Sequence, residues 1–199
     1  MNVYEAAVRR RSIRRFKDKP VPYNALERCV DAGRLAPSGR NCQVWEYIVV
    51  DDEKLLPKVF ENIGGSATQP PAKGGPPPAN RAKAYIIILI NSVLEAEIGG
   101  NRRVTPYDVG MSAENMILVA LEQGLGACPV LMFNEDGLRQ VLNIPPTYDV
   151  ALVLLLGYPN ESPVAEVATG PVDTWMDSQG VRHVPKRKLE DITHRNKFA

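Results

Sequence analysis

The run Ala84-Tyr85-Ile86-Ile87-Ile88-Leu89-Ile90 is unbroken in its apolarity and rich in β-branched side chains. Its length suits a strand, and its lack of alternation requires cover on both faces, so it is expected to be a central strand of a sheet. Val150–Leu156 has the same character. Upstream, the aromatic and β-branched Trp45-Glu46-Tyr47-Ile48-Val49-Val50 predicts a further strand. Asp51-Asp52 then opens a helix, where acids suit the positive end of the helix dipole.

Helices fill the intervals. From Pro106 to Glu122, the residues Val109, Ala113, Met116, Ile117, Ala120 and Leu121 mark one broad apolar face, with Pro106 near the first turn and Gly124 past the end. This helix is expected to form the heart of the core. Leu26, Cys29, Val30 and Gly33 recur at helical spacing over Asn24–Leu35, and Pro37-Ser38-Gly39 closes that segment. Val3 to about Arg11 is a short helix with a basic carboxyl end, and Glu135 to Leu142 another, capped by Asn134. The short apolar segment Ala127–Phe133 precedes it. Strands alternating with helices, without internal repeats, indicate a mixed α/β (α+β) domain over residues 1–199. Two segments stand apart. Residues 62–83 hold Gly64, Gly65, Gly74, Gly75 and five prolines, which suits a surface loop or a lid facing a substrate. The polar, basic tail 186–199 is too weakly apolar to fold alone and needs a surface to dock on.

The chain has 199 residues, 44% hydrophobic and 24% charged, which suits one domain with its own core. Lys and Arg total 24 against 23 acids, so net charge offers no global argument for a nucleic-acid or membrane-surface protein. The amino terminus lacks a signal-like apolar stretch, and no apolar run approaches the roughly 20 residues of a membrane span, so a cytoplasmic protein is expected. Cys29, Cys42 and Cys128 are odd in number and lack CxxC spacing, consistent with reduced thiols and no zinc site.

Charge is nevertheless uneven. Seven of the 24 basic residues fall between positions 9 and 19, against one acid, Asp18. Guanidinium forks in Arg9-Arg10-Arg11-Ser12-Ile13-Arg14-Arg15-Phe16 match phosphate oxygens, and Ser12 adds a directional donor. On charge alone, a solvated helix end or a nonspecific nucleic-acid patch accounts for the stretch as well. The turn Ala36-Pro37-Ser38-Gly39-Arg40-Asn41-Cys42-Gln43-Val44-Trp45 offers small polar groups for a planar ligand, or is merely a turn. Gly124-Leu125-Gly126-Ala127-Cys128-Pro129 imitates half of a dinucleotide fingerprint but follows a helix and has proline in the third glycine's place, so a Rossmann reading is rejected. Phosphate-loop, HExxH and GxSxG motifs are absent, and His183 and His194 are expected to be polar surface residues.

Taken in order, Arg10-Arg11-Ser12-Ile13-Arg14, Pro37-Ser38 with Asn41, Gln43 and Trp45, Gly124-Leu125-Gly126, Leu156-Gly157-Tyr158-Pro159 and Arg187-Lys188-Leu189-Glu190 resemble the nitroreductase family of FMN-dependent oxidoreductases. The resemblance runs over nearly the whole chain. It implies a mixed central sheet flanked by helices and an interwoven homodimer with FMN at the subunit interface. Arg10, Arg11 and Ser12 would hold the FMN phosphate and ribityl chain, and Arg187 and Lys186 would close over the phosphate. Arg14 would approach the N1/O2 edge, where a positive charge favours the anionic reduced ring. Pro37, Ser38 and Asn41 would come from the partner subunit. Pro129, Val130 and the Leu131 backbone would line the flavin, with a main-chain N–H near N5.

The implied activity is ping-pong hydride transfer from NADH or NADPH through flavin N5 to a nitroaromatic, quinone or related small-molecule acceptor. No metal, nucleic acid or membrane takes part. The flavin carries the chemistry, so the protein need supply no acid, base or nucleophile. Alternatives are reductive dehalogenation or oxygen chemistry within the same family, and a basic nucleic-acid-binding module. Val44 replaces the proline frequent before the tryptophan in relatives, and Leu131-Met132 stands where small residues are frequent, so a tighter and more apolar ring environment is expected.

Overall fold

Seven of the eight residues of strand β2 (Ala84–Asn91) are buried, because its two faces lie in two different cores. Ala84, Ile86, Ile88 and Ile90 belong to one, with Leu26 and Cys29 of helix α2 (Tyr23–Arg34) and Val109, Ala113 and Met116 of helix α5 (Thr105–Glu122). Tyr85, Ile87 and Leu89 belong to the other, with Val59 and Phe60 of α3 (Leu56–Glu61) and Leu138 of α6 (Glu135–Leu142). Burying each such isoleucine contributes about 1.5–3 kcal/mol. The computed structural model describes residues 1–64, 76–97 and 105–198.

The chain forms two compact units, Met1–Asn160 and Glu161–Ala199. In the first, a four-stranded sheet runs in the order β1 (Trp45–Val50), β2, β4 (Tyr148–Gly157), β3 (Gly126–Val130). Every pair in it is antiparallel, although continuous apolar strands are more typical of parallel sheets. Burial of both faces follows from helical cover, whatever the strand direction. Strand β4 repeats the division of β2, with Leu152, Leu154 and Leu156 on the α2/α5 side and Val153 and Leu155 on the other. A register shift at Ile88/Leu89 bulges β4 and places Val150 in the second core.

Helix α5 buries the face that its periodicity marks, and its chain reverses at Gly124, where φ is +75°. Asn134 caps α6 by accepting the Gly137 N–H at 3.3 Å. At the amino end, α1 (Val3–Arg9) begins with a reciprocal Asn2–Glu5 capping box. Helix α4 (Ser92–Glu97), in the direct continuation of β2, has no sequence signal of its own.

The second unit holds a three-stranded sheet ordered β5 (Val164–Val167), β7 (Arg182–Lys186), β6 (Trp175–Met176). Strands β5 and β7 are parallel, while β6 and β7 are antiparallel. Of the 62–83 loop, residues 65–75 lie outside the described residues.

Candidate functional site

The basic segment is placed by its two apolar residues. After α1 ends, Arg10 leaves helical geometry at φ −58°, ψ 129°, and the chain runs beside β3. Ser12 bridges Ala127 in parallel, and the Ile13 N–H donates to the Ala127 carbonyl at 2.9 Å. Ile13 and fully buried Phe16 point inward, leaving Arg10, Arg11, Arg14 and Arg15 half-exposed. Two glycines admit this inner edge. A Cβ on Gly126 would lie 2.6 Å from Ile13 Cγ1, and one on Gly157 would lie 2.7 Å from Phe16 Cδ1. The Gly124-Leu125-Gly126 and Leu156-Gly157-Tyr158-Pro159 motifs thus serve the basic segment by letting it lie flat on the sheet. The Phe16–Pro159 bridge and the Lys17 N–H bond to the Tyr158 carbonyl, 2.8 Å, complete the seat.

Two cations sit side by side at the start of this segment. Arg10 Nε lies 3.4 Å from Glu114 Oε1, off the line of a hydrogen bond, and Glu114 is itself about half exposed. Arg11 donates from Nη1 to the Arg10 carbonyl, while its Nε is buried with no acceptor. Burial, and then the neighbouring Arg10 charge, hold the Arg11 guanidinium below its ordinary pKa. One half-exposed carboxylate does not balance this pair, so a bound anion fits the donors present. Ser12 follows with its side chain half-buried, and Arg14 Nη1 lies 3.5 Å from the Ser12 carbonyl. Because the Ser12–Ala127 bridge is parallel, the segments advance together: Arg14 follows Ser12 as Pro129 follows Ala127.

The residues after β3 divide between surface and core. Pro129 is exposed and Leu131 is 72% exposed, whereas the Val130 side chain is buried in the second core. Met132 is exposed as well. Leu131 also lines an apolar groove of about 430 Å³ with Ile90, Val109, Ala151 and Leu152.

The turn before β1 has a strained backbone. Arg40, Asn41 and Gln43 all have left-handed backbone, at φ +56°, +58° and +49°. Of these only asparagine is a frequent occupant of that region, and each such residue costs on the order of 1 kcal/mol. Three bonds hold the shape: Ser38 Oγ accepts the Gln43 N–H at 3.1 Å, the Ser38 carbonyl accepts the Asn41 N–H at 2.9 Å, and buried Asp108 of α5 accepts the Gly39 N–H at 3.1 Å. Pro37 and Asn41 face outward, while Val44 and Trp45 are buried. A turn further along α5, Ser112 meets the Tyr47 hydroxyl at 2.8 Å, and burial pushes Tyr47 up to about 12 against that hydrogen bond.

The structure therefore brings Arg10, Arg11, Ser12 and Arg14 alongside Pro129, Val130 and Leu131. It places Pro37, Ser38 and Asn41 on a separate α5-anchored turn, and Lys186 and Arg187 at the end of β7 in the second unit. Asp108 and Glu114 escaped sequence reading because their roles depend on contacts 69 and 104 residues away in the chain. His183 is half-exposed, its ring stacked on Trp175 and held by Glu166 and Asp177. His194 is exposed and tilts against Phe198. Cys29, Cys42 and Cys128 form no disulfide with one another, and among the described residues no helix is long and apolar enough to cross a membrane.

Comparison with known proteins bears on this geometry. A Methanothermobacter thermautotrophicus protein that carries the paired name NADH dehydrogenase/NAD(P)H nitroreductase is 30% identical over 82% of this chain and 80% of its own. The iodotyrosine deiodinase of Thermotoga neapolitana is 23% identical over 80% of this chain and 89% of its own. Among solved structures, an FMN-dependent nitroreductase from Clostridium difficile superposes with a TM-score of 0.68 at 24% identity, covering 98% of this chain and 100% of its own. The family model described as the nitroreductase family matches residues 7–158, from the middle of α1 to the Tyr158 that receives Lys17. The chain belongs to the nitroreductase family and is an oxidoreductase.

Proposed function

We propose that this protein is an FMN-dependent oxidoreductase that takes hydride from NADH or NADPH and delivers it to a nitroaromatic, quinone or related conjugated acceptor. The observation that carries this reading is the adjacent pair Arg10 and Arg11, with buried Nε donors that lack hydrogen-bond acceptors, next to Ser12 and alongside the end of β3. FMN, when bound, supplies the hydride exchange. In this reading Arg10, Arg11 and Ser12 bind the phosphate and ribityl chain, and Lys186 and Arg187 add positive charge from the carboxyl-terminal unit. Arg14 supplies a cation to the ring, and Pro129, Val130 and Leu131 line it through backbone and exposed side chain. Pro37, Ser38 and Asn41 of a second copy complete the site in a homodimer, which gives the outward-facing, strained turn a use.

Purified protein should be yellow, and its flavin absorbance should bleach under anaerobic NADH or NADPH. A colourless preparation that takes up no added FMN would overturn the proposal. A second reading, reductive dehalogenation, is favoured by similarity to the Thermotoga neapolitana deiodinase. Product analysis with halogenated aromatics and nitro compounds added singly to reduced enzyme separates the two. Nucleic-acid binding is disfavoured by Glu114 beside Arg10 and by the inward burial of Phe16, which removes the nearest base-stacking ring.

A further inference from the structure

The second unit carries a polar cluster to which the proposed function assigns no role. His183 lies on β7, the middle strand of its sheet, and Trp175 is its partner in the β6 register. The two rings stack with centroids 3.9 Å apart and planes 15° from parallel. His183 Nδ1 is 2.9 Å from Glu166 Oε2 on β5, and Nε2 is 3.3 Å from Asp177 Oδ2, one residue beyond β6. The other Glu166 oxygen accepts the Trp175 Nε1–H at 2.8 Å, and Asp177 Oδ1 accepts the Gln179 and Val181 N–H groups at 2.9 and 2.8 Å. Both flanking segments of the sheet thus send a carboxylate to one imidazole.

A neutral imidazole has a single N–H, and ionised carboxylates only accept. Both contacts are hydrogen bonds only when His183 is the imidazolium. Arg182, the residue before it on β7, directs Nη1 to Thr174 Oγ1 at 3.4 Å. The carboxylates sit at opposite ring nitrogens, and among the described residues no three such side chains are arranged to hold a metal. The charges agree with the geometry. Glu166 is pulled below its ordinary value first by the Trp175 bond, Asp177 first by the Val181 N–H, and His183 is raised first by Glu166.

Three residues beyond His183, β7 ends at Lys186, which is registered against Val167 and accepts the Ala168 N–H at 2.8 Å. Arg187 follows, donating to the Asp191 carbonyl at 3.0 Å. We infer that His183, gripped as an imidazolium by Glu166 and Asp177, is a positioning residue for the end of β7, and that its deprotonation loosens the hold of Lys186 and Arg187 on the cofactor phosphate. This rests on the FMN reading above. Because the folded-state value is raised, the clamp is fully present below the ordinary imidazole range and is lost as pH rises through the higher folded value. The phosphate gains charge near pH 6, which alone would tighten binding as pH rises, so the inferred effect has the opposite sign.

The test uses the full chain. His183 is followed by imidazole NMR, the Ala168 amide by hydrogen-exchange protection, and the Kd of FMN and of riboflavin by flavin fluorescence, all across neutral to alkaline pH. If the ordered strand end falls to about one third of the molecules, the Kd of FMN rises about threefold. Riboflavin, without a phosphate, should show no step, and Ala168 protection should fall over the same range. His183→Gln should abolish the step, and Asp177→Asn, which keeps the side-chain shape, should move it to lower pH. Constant Ala168 protection through the His183 titration, or identical FMN and riboflavin profiles, would overturn the inference. A protein that binds neither flavin at any pH overturns the proposed function instead, and Ala168 protection then decides the positioning role alone.

Discussion

Asp108, 4% exposed in the first turn of α5, accepts the backbone N–H of Gly39 at 3.1 Å. The helix that forms the heart of the core is therefore also the anchor of the strained turn proposed to reach a second subunit. A buried carboxylate kept for one backbone donor is a costly choice unless the turn's shape matters.

Asp108→Ala should cost about 1–3 kcal/mol, the usual effect of removing a charged acceptor from a donor away from solvent. Asp108→Asn, which keeps an acceptor oxygen, should cost less. Urea unfolding measures both, and hydrogen exchange at Gly39 should quicken in the alanine variant alone. Equal stability of Asp108→Ala and wild type would show that the turn keeps its shape without α5.

Gly126→Ala should cost about 1–3 kcal/mol by overpacking, because its Cβ would lie 2.6 Å from Ile13 Cγ1. The clash pushes on the segment that carries Arg10 to Arg14, so FMN affinity should fall with stability. Ile13→Ala in the same chain should recover part of both losses. A double-mutant cycle measures this coupling, and strictly additive losses would mean that Ile13 is not what the glycine accommodates.

These two positions also show what the sequence could and could not reveal. Strand β2 and helix α5 were legible because local periodicity and burial agree, and the Asn134 cap because its signal lies within one helical turn. Gly126 was visible as a motif but not as a seat for Ile13, since its reason lies more than a hundred residues upstream. The left-handed backbone at Arg40 and Gln43 carries no compositional mark, as neither is a turn-forming residue type. Strands β5 to β7 are short and largely exposed, so they have no apolar period, and they are held by Glu166, Asp177 and His183 meeting across the sheet. Resemblance singled out Arg10, Arg11, Ser12 and Arg14 as a group, but Glu114 beside Arg10 and Asp108 beneath the Gly39 turn came only with the fold.

Arg10 and Arg14 should separate binding from tuning. Arg10→Ala removes one of the two paired cations and should weaken FMN retention. Arg14→Ala should chiefly lower the flavin reduction potential while some FMN stays bound, because loss of a nearby positive charge disfavours the anionic reduced ring. Dialysis against flavin-free buffer measures the first, and anaerobic redox titration the second. Equal potentials in wild type and Arg14→Ala would contradict the assignment.

Alkaline pH should expose a cost hidden in the α2/α5 core. Cys29 is fully buried on α2, and burial pushes its thiol from 9.0 up to about 11, outweighing the Gln123 Nε2 contact to Sγ and the Arg28 charge. The unfolded chain releases this proton first as pH rises above 9, so the folded state binds more protons there and stability must fall with pH. The loss attributable to Cys29 should be about 1 kcal/mol by pH 10 and should vanish below pH 8. Tyr47, pushed up to about 12 by burial, adds a loss of the same sign that begins higher, above its ordinary value of 10.0. Urea unfolding of wild type and Cys29→Ala at a series of pH values isolates the thiol. The alanine variant should start less stable from the cavity it creates, yet decline later, so the two curves converge between pH 9 and 10. Parallel curves would mean that Cys29 ionises as readily in the fold as outside it, and that the packing of α2 on α5 is open enough to hydrate a thiolate.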